Sequence, residues 1–281
     1  MGFFKDVMRG LAIGIANIIP GVSGGTMMVS MGIYNEVIGA VTGIFSHLKK
    51  SIRILLPYAI GMGIGIVSLS FVIGYFFEYY PLQTALLFMG LIFGGLPLIV
   101  PKVTGKRPSM MEIIVFVAFF ALVVWMQFLG EGTAKVLTTD IESMMRLFFI
   151  GALAAATMVI PGVSGSMLLM SLGYYTPIID HINAFVIALV TFDMGTVLYC
   201  MEILVPFGLG VVLGIFLISK LVEYLLTKHE RITYFAILGL VVSSPIAVLA
   251  GLNLTYVGIW SILVGIVMFG VGLMVAWLLG K

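Results

Sequence analysis

Two identical runs, Ile19-Pro20-Gly21-Val22-Ser23-Gly24 and Ile160-Pro161-Gly162-Val163-Ser164-Gly165, each interrupt the middle of a long apolar stretch. Proline removes a backbone N–H and clashes with the preceding helical turn, and glycine lets the chain reverse sharply. Neither stretch can therefore run through as one uninterrupted helix. The identity continues in phase on both sides of the breaks. A shift of 141 positions pairs Lys5 with Arg146, Gly10 with Gly151, Ser30 with Ser171, Gly32 with Gly173, Tyr34 with Tyr175 and Ile38 with Ile179. After an insertion of about eight residues, a shift of 149 pairs Pro57, Gly61, Gly65 and Gly90 with Pro206, Gly210, Gly214 and Gly239. The chain is a tandem duplication, divided here into residues 1–135 and 136–281 of a single membrane domain.

Composition says what surrounds these repeats. Of 281 residues, 62% are hydrophobic and 9% are charged, against about 45–50% apolar and about 25% charged in a soluble domain. A core of this size cannot absorb that excess, so much apolar surface must face lipid, and a cytosolic enzyme is excluded. The 34 glycines suit closely packed or broken membrane helices. One cysteine, Cys200, can form neither an internal disulfide nor a CxxC metal site. A net charge of +2 gives no reason to expect nucleic acid. No cleavable signal is expected, because the first apolar run is broken by Pro20 and the chain stays hydrophobic to its end.

A membrane span needs about 20 mostly apolar residues. Six stretches qualify, at 55–77, 83–100, 111–130, 204–226, 232–250 and 257–279. The two broken segments, 5–45 and 146–190, either cross the membrane or re-enter as hairpins. Crossing would give parallel repeats; re-entry would give three crossings per repeat and an inverted second copy. Cytoplasmic loops concentrate Lys and Arg. With re-entrant hairpins, Lys5, Arg9, Lys49, Lys50, Arg53, Lys102, Lys106, Arg107, Lys220, Lys228, Arg231 and Lys281 share one face, leaving Lys135 and Arg146 on the other. With crossing segments the same 14 residues divide 8 against 6. The expected fold is thus an all-α polytopic membrane protein of two inverted-topology repeats. Each holds one re-entrant helical hairpin and three transmembrane helices, and both termini are cytoplasmic.

Several features have plain structural readings. Gly10/Gly14, Gly61/Gly65 and Gly210/Gly214 have the spacing that permits close helix contact. Trp260 and Trp277 sit near opposite ends of the last span, as interfacial anchors do. The 19 methionines fill core and lipid-facing positions, or form a pliable groove for a lipid tail.

The loops carry the chemistry. Irregular backbone at membrane depth is tolerated only when buried in protein or lining a wet cavity. Each loop leads into a new apolar helix, whose first N–H groups and dipole favour an anion. Ser23, Gly24, Gly25 and Thr26, with Ser164, Gly165 and Ser166, form candidate substrate-binding loops suited to phosphate. The competing reading is that Ser23 and Ser164 merely cap helices. Arg9, one turn inside the first hairpin, either meets an anionic head group or snorkels to the interface. Lys5 and Arg146 occupy matching positions at opposite faces, as symmetric entrance charges would. Glu36, Asp193 and Glu202 lie in or beside apolar runs and could hold a coupling ion, H+ or Na+, or stay exposed at the interface. Asn17 precedes Pro20 and is placed to satisfy backbone freed by the break. An enzyme has little support: His47, His181 and His229 fall in polar connections, and no HExxH, CxxC or Walker-type run occurs. No metal site and no cofactor are expected.

The run Gly14-Ile15-Ala16-Asn17-Ile18-Ile19-Pro20-Gly21-Val22-Ser23-Gly24-Gly25-Thr26 followed by Gly32-Ile33-Tyr34, and the second run from Ile160 to Ser166 followed by Gly173-Tyr174-Tyr175, resemble the paired signatures of the bacterial polyprenyl-phosphate transporter family. These are the PopT-type undecaprenyl phosphate translocases, and the resemblance covers essentially the whole chain. It implies a multi-pass protein of the bacterial plasma membrane that returns undecaprenyl phosphate from the outer to the inner leaflet for reuse in envelope synthesis. A lipid monophosphate has a compact dianionic head suited to the Ser/Gly loops and a tail that can stay in the bilayer. The expected path enters near Arg146, binds between the loops and leaves past Lys5 and Arg9, with the repeats rocking around the site. A soluble-anion transporter or channel, or a membrane-embedded lipid phosphatase or transferase, would be the rival function. A homodimer is a further expectation.

Overall fold

A computed structural model describes residues 2–18, 23–250, 252 and 258–280. Residues 19–22, which include Pro20 and Gly21 of the first loop, lie outside the described residues, as do residue 257 at the start of the last expected span and Lys281. The described residues form twelve α-helices and make an all-helical polytopic membrane protein. These are α1 (Phe3–Ile18), α2 (Gly24–Ser30), α3 (Tyr34–Thr42), α4 (Leu48–Tyr79), α5 (Pro81–Val103), α6 (Met110–Met126), α7 (Ile141–Val159), α8 (Gly165–Ser171), α9 (Tyr175–Thr191), α10 (Met194–Lys228), α11 (Glu230–Ala250) and α12 (Ile259–Gly280). Among them α5, α7, α10, α11 and α12 are long and apolar enough to cross a membrane.

Local chemistry sets the helix ends. Pro81 opens α5, where its missing N–H has no intrahelical partner to lose. Ser109 and Glu112 form a reciprocal capping box at α6, and the Asp140 and Asp193 carboxylates cap α7 and α10. The expected span 111–130 is shorter than its hydropathy suggests. The helix stops at Met126, the chain turns through Gln127 and Phe128, and Gly130 takes a left-handed φ of 62°. The segment after each break is also two helices rather than one. Gly32 and Gly173, at φ 69° and 77°, end the seven-residue α2 and α8 before α3 and α9 begin.

The two halves repeat their internal packing. Helix α1 lies on α4, with Gly61 against the Val7 carbonyl and Gly65 against that of Leu11, where a side chain would collide with backbone. Helix α7 lies on α10 in the same way, with Gly210 against the Phe148 carbonyl and Gly214 against that of Ala152. Contacts advance together along both chains, so each pair runs parallel. Helices α5 and α12 are parallel too: Gly90 meets Phe269, and Gly94 meets Leu273 and Ala276. Helix α6 packs on α11 through Gly239 against the Phe116 carbonyl and a cluster of Val123, Met126, Leu240 and Ala247. The α5/α12 and α6/α11 pairs join the two halves, as do smaller contacts of α5 with α11 and of α3 with α10. Just past α3 the Phe45 ring meets Phe216 of α10 edge-on, 5.0 Å between centroids.

Candidate functional site

The two loops come together at the centre. Thr26 accepts a hydrogen bond from the Gly162 N–H at 2.6 Å, and the Ser23 hydroxyl donates to the Ile160 carbonyl at 3.4 Å. A Cβ on Gly25 would strike the backbone of Val159 to Pro161, so that glycine is what lets the loops approach. Tyr34, the first residue of α3 and buried, donates its hydroxyl to the Val159 carbonyl at 3.1 Å. Val159 is the last residue of α7, where a helix leaves its final carbonyls without an intrahelical donor.

Beside this junction lies a cavity of about 470 Å³. Its polar wall is Asn17, Ser23, Ser164, Gly165, Ser166 and Tyr175; Met158, Met170 and Phe207 are among its apolar residues. Both serines cap helices as well as lining it: Ser23 accepts from the Gly25 N–H at 3.2 Å and Ser164 from the Met167 N–H at 3.5 Å. The Asn17 side chain accepts from the Gly24 N–H at 3.1 Å, so the first two amides of α2 are satisfied. Those of α8 differ. The Gly165 and Ser166 N–H groups have no acceptor within the protein among the described residues, and the Ser164 and Ser166 hydroxyls bond to each other at 2.9 Å. The available donors thus come mainly from the second loop.

The other wall leads outward. Ile66 of α4 and Ile179 and Ile182 of α9 line the cavity and are also 41%, 38% and 40% exposed. These exposed isoleucines put an apolar edge of the cavity between α4 and α9. A smaller cavity of about 150 Å³ adjoins at Met170 and Tyr175, under Glu131 to Ala134 of the linker between halves.

The charged candidates stand away from this chamber. Arg9 is 1% exposed and held in a helix junction, its Nε donating to the Leu279 carbonyl at 2.9 Å and its Nη1 3.1 Å from Asp6. It neither lines the cavity nor snorkels; burial between α1 and the end of α12 explains its placement. Lys5 is half-buried in the first turn of α1. Arg146 is exposed and paired with Glu142 at 3.1 Å; its position on α7 puts it about 18 Å along the helix from Met158, at 1.5 Å per residue. Glu36 and Glu202 are exposed. Asp193 is exposed and serves as a cap, accepting from the Thr196 hydroxyl at 2.6 Å and its N–H at 3.2 Å. Those bonds hold the Asp193 carboxyl below its usual range, the hydroxyl first. Among the described residues the cavity wall contains no carboxylate, histidine or cation, and His181 instead bonds the Pro177 carbonyl at 2.7 Å.

Sequence reading missed Tyr34 and Tyr175 as site residues, although their pairing under the 141-residue shift was a usable signal. It also missed Ile66 and Phe207, which reach the chamber only through the packing of α4 on α1 and α10 on α7.

A family model described as VCA0040-like, undecaprenyl phosphate translocase-like, matches residues 13–258. A polyprenyl-phosphate transporter of Staphylococcus aureus is 32% identical over 282 aligned positions, covering 98% of this chain and 95% of the relative. One of Vibrio cholerae is 25% identical over 260 positions, covering 87% of this chain and 77% of the relative. No solved structure gives a significant match. The match runs through both loops and nearly the whole helical frame, and the chain belongs to the undecaprenyl phosphate translocase-like family.

Proposed function

We propose that this protein transports a polyprenyl phosphate, undecaprenyl phosphate in the bacterial plasma membrane, from the outer to the inner leaflet for reuse in envelope synthesis. The observation that carries the reading is the central cavity: hydroxyls of both loops and the amides of the second loop line one wall, and exposed isoleucines of α4 and α9 form its apolar lip. A phosphate head fits the polar wall, where donors fixed in a poorly hydrated site replace its water shell. The prenyl tail trails between α4 and α9 into lipid. A soluble phosphate would have no use for a sideways apolar mouth.

The mechanism is alternating access of two inverted repeats. Supporting it are the parallel pairs α1/α4, α7/α10 and α5/α12. If each hairpin returns to the face it left, these pairs must run parallel; if each broken segment crossed, they would be antiparallel. The loop charge supports cytoplasmic termini, and in that orientation the α4/α9 mouth opens toward the outer leaflet. The head group enters on the Arg146 side, binds around Ser23, Ser164 and Ser166, and leaves on the side of Lys5 and Arg9 when the repeats rock. Glu36 and Glu202 are the acids open to a coupling H+ or Na+.

The test is reconstitution with labelled undecaprenyl phosphate, following its movement between leaflets with and without proton and sodium gradients. Replacing Ser23 and Ser164 together by alanine should abolish transport while the protein still elutes as a folded, monodisperse species. Full transport by that folded double variant would remove the loops from the binding site.

A further inference from the structure

The duplication supplies two copies of every residue in the hairpins, yet the copies are not in equivalent surroundings. Ile38 on α3 is 2% exposed, and its counterpart Ile179 on α9 is 38% exposed at the mouth of the cavity. Tyr34 is buried with its hydroxyl on the Val159 carbonyl. Its counterpart Tyr175 is half-buried in the cavity wall, and its hydroxyl has no partner among the described residues. The acceptor is duplicated as well. Val159 is the last residue of α7, and the 141-residue shift returns Ile18, the last residue of α1. Each of these residues stands two places before the loop proline. Other contacts that close the first hairpin have no such copy: Thr26 on Gly162 corresponds to Met167, and Asn35 on the Tyr234 hydroxyl at 3.0 Å corresponds to Thr176.

We infer that Tyr34 and Tyr175 are alternating latches: the Tyr34–Val159 bond holds the α3/α10 side shut in the conformation described, and a Tyr175–Ile18 bond holds the α4/α9 side shut in the opposite one. Each hydroxyl caps an orphaned carbonyl at the end of the other repeat's first helix. Only one latch is engaged at a time because the hairpin that swings in to make its bond covers the chamber on its own side. The inference rests on the alternating-access reading above and assigns these two tyrosines as positioning residues within it.

The test uses a Cys200→Ser background with a single cysteine probe at one of two counterpart sites, Ile38→Cys or Ile179→Cys, labelled by a membrane-impermeant maleimide in proteoliposomes. Tyr34→Phe should raise labelling of the Ile38→Cys probe and lower that of the Ile179→Cys probe; Tyr175→Phe should do the reverse. Loss of one neutral hydrogen bond should shift each ratio by roughly two- to tenfold. A merely structural role would move both variants in one direction. Because Tyr175 makes no bond in this conformation, Tyr175→Phe should fold normally even if Tyr34→Phe does not, and its shift alone decides the matter. Shifts in the same direction, or an unchanged Tyr175→Phe, overturn the latch. A parallel arm, Phe45→Cys with Phe216→Cys joined by a thiol cross-linker, tests the underlying reading. Transport surviving that cross-link overturns alternating access itself, whereas a block by the cross-link with unshifted tyrosine variants overturns the latch alone.

Discussion

The two segments around the shared motif begin from nearly the same sequence and end in different surroundings. Every residue of α2 is buried, while in α8 only Gly165 and Leu169 are. Two neighbours account for the contrast. The end of α2 is pressed by α5, where Gly95 lets the backbone of Ser30 approach. The end of α8 is held instead by the linker between halves: the Gly132 N–H donates to the Met170 carbonyl at 3.0 Å and the Lys135 N–H to the Gly173 carbonyl at 2.9 Å. A helix covers one corner and an extended strap covers the other, so one loop is packed and its copy faces a chamber. The inequality lies in what packs on each copy and in residues just past the shared run, Thr26 against Met167 among them.

Substitutions at paired positions can break or sharpen that contrast. The largest effect is expected where the copies differ most in burial of charge. Arg9→Ala leaves Asp6 with only the Tyr58 hydroxyl, at 3.4 Å, inside the helix junction and should destabilise by about 3–5 kcal/mol, read as a lowered thermal transition in detergent. The other hairpin's cation, Arg146, sits in an exposed pair, and Arg146→Ala should change stability by about 0–1 kcal/mol. Equal losses would mean that Arg9 is less enclosed than its contacts indicate. Next comes the part of the fold that the halves share. Gly10→Val and Gly151→Val both drive a side chain into a carbonyl, of Tyr58 and Phe207 respectively. Each should cost about 1–3 kcal/mol or more, and by similar amounts; a cost confined to one would show that the halves pack unlike each other.

Thr26→Val should leave the buried Gly162 N–H unsatisfied, at about 1–3 kcal/mol, whereas Met167→Val on the looser α8 should cost less in the same melting assay. The smallest effect concerns the cap of α10. The folded Asp193 carboxyl lies below its usual range, so its stabilisation is present at neutral pH and is lost as acid protonates the folded group. Asp193→Asn should therefore lower the melting temperature slightly at neutral and alkaline pH, with the difference from the parent closing as pH falls through the acid limb.

Much of this was legible beforehand. The expected stretches 55–77, 83–100, 204–226 and 232–250 fall within helices, and the second Pro-Gly break lies between α7 and α8, because apolar length and loss of a backbone donor act locally. The glycine pairs read as close contacts are close contacts. Ser23 and Ser164 cap their helices and also line the chamber, so capping leaves the proposed binding role open to them. Arg9 was not legible: its partner carbonyl, Leu279, is 270 residues away, and only the packing of α12 near α1 brings it there. The short α2 and α8 were missed because the breaks at Gly32 and Gly173 depend on a left-handed backbone conformation that glycine permits but does not announce.

By itself the sequence determined the apolar surroundings, the helical class and the pair of matching motifs, since each follows from composition or from residues close in the chain. Tertiary structure alone decided which copy of each pair is engaged. Identical motifs cannot encode a difference between themselves. Tyr34 is bonded and Tyr175 is not, α2 is sealed and α8 is open, because α5 and the linker pack against them unequally.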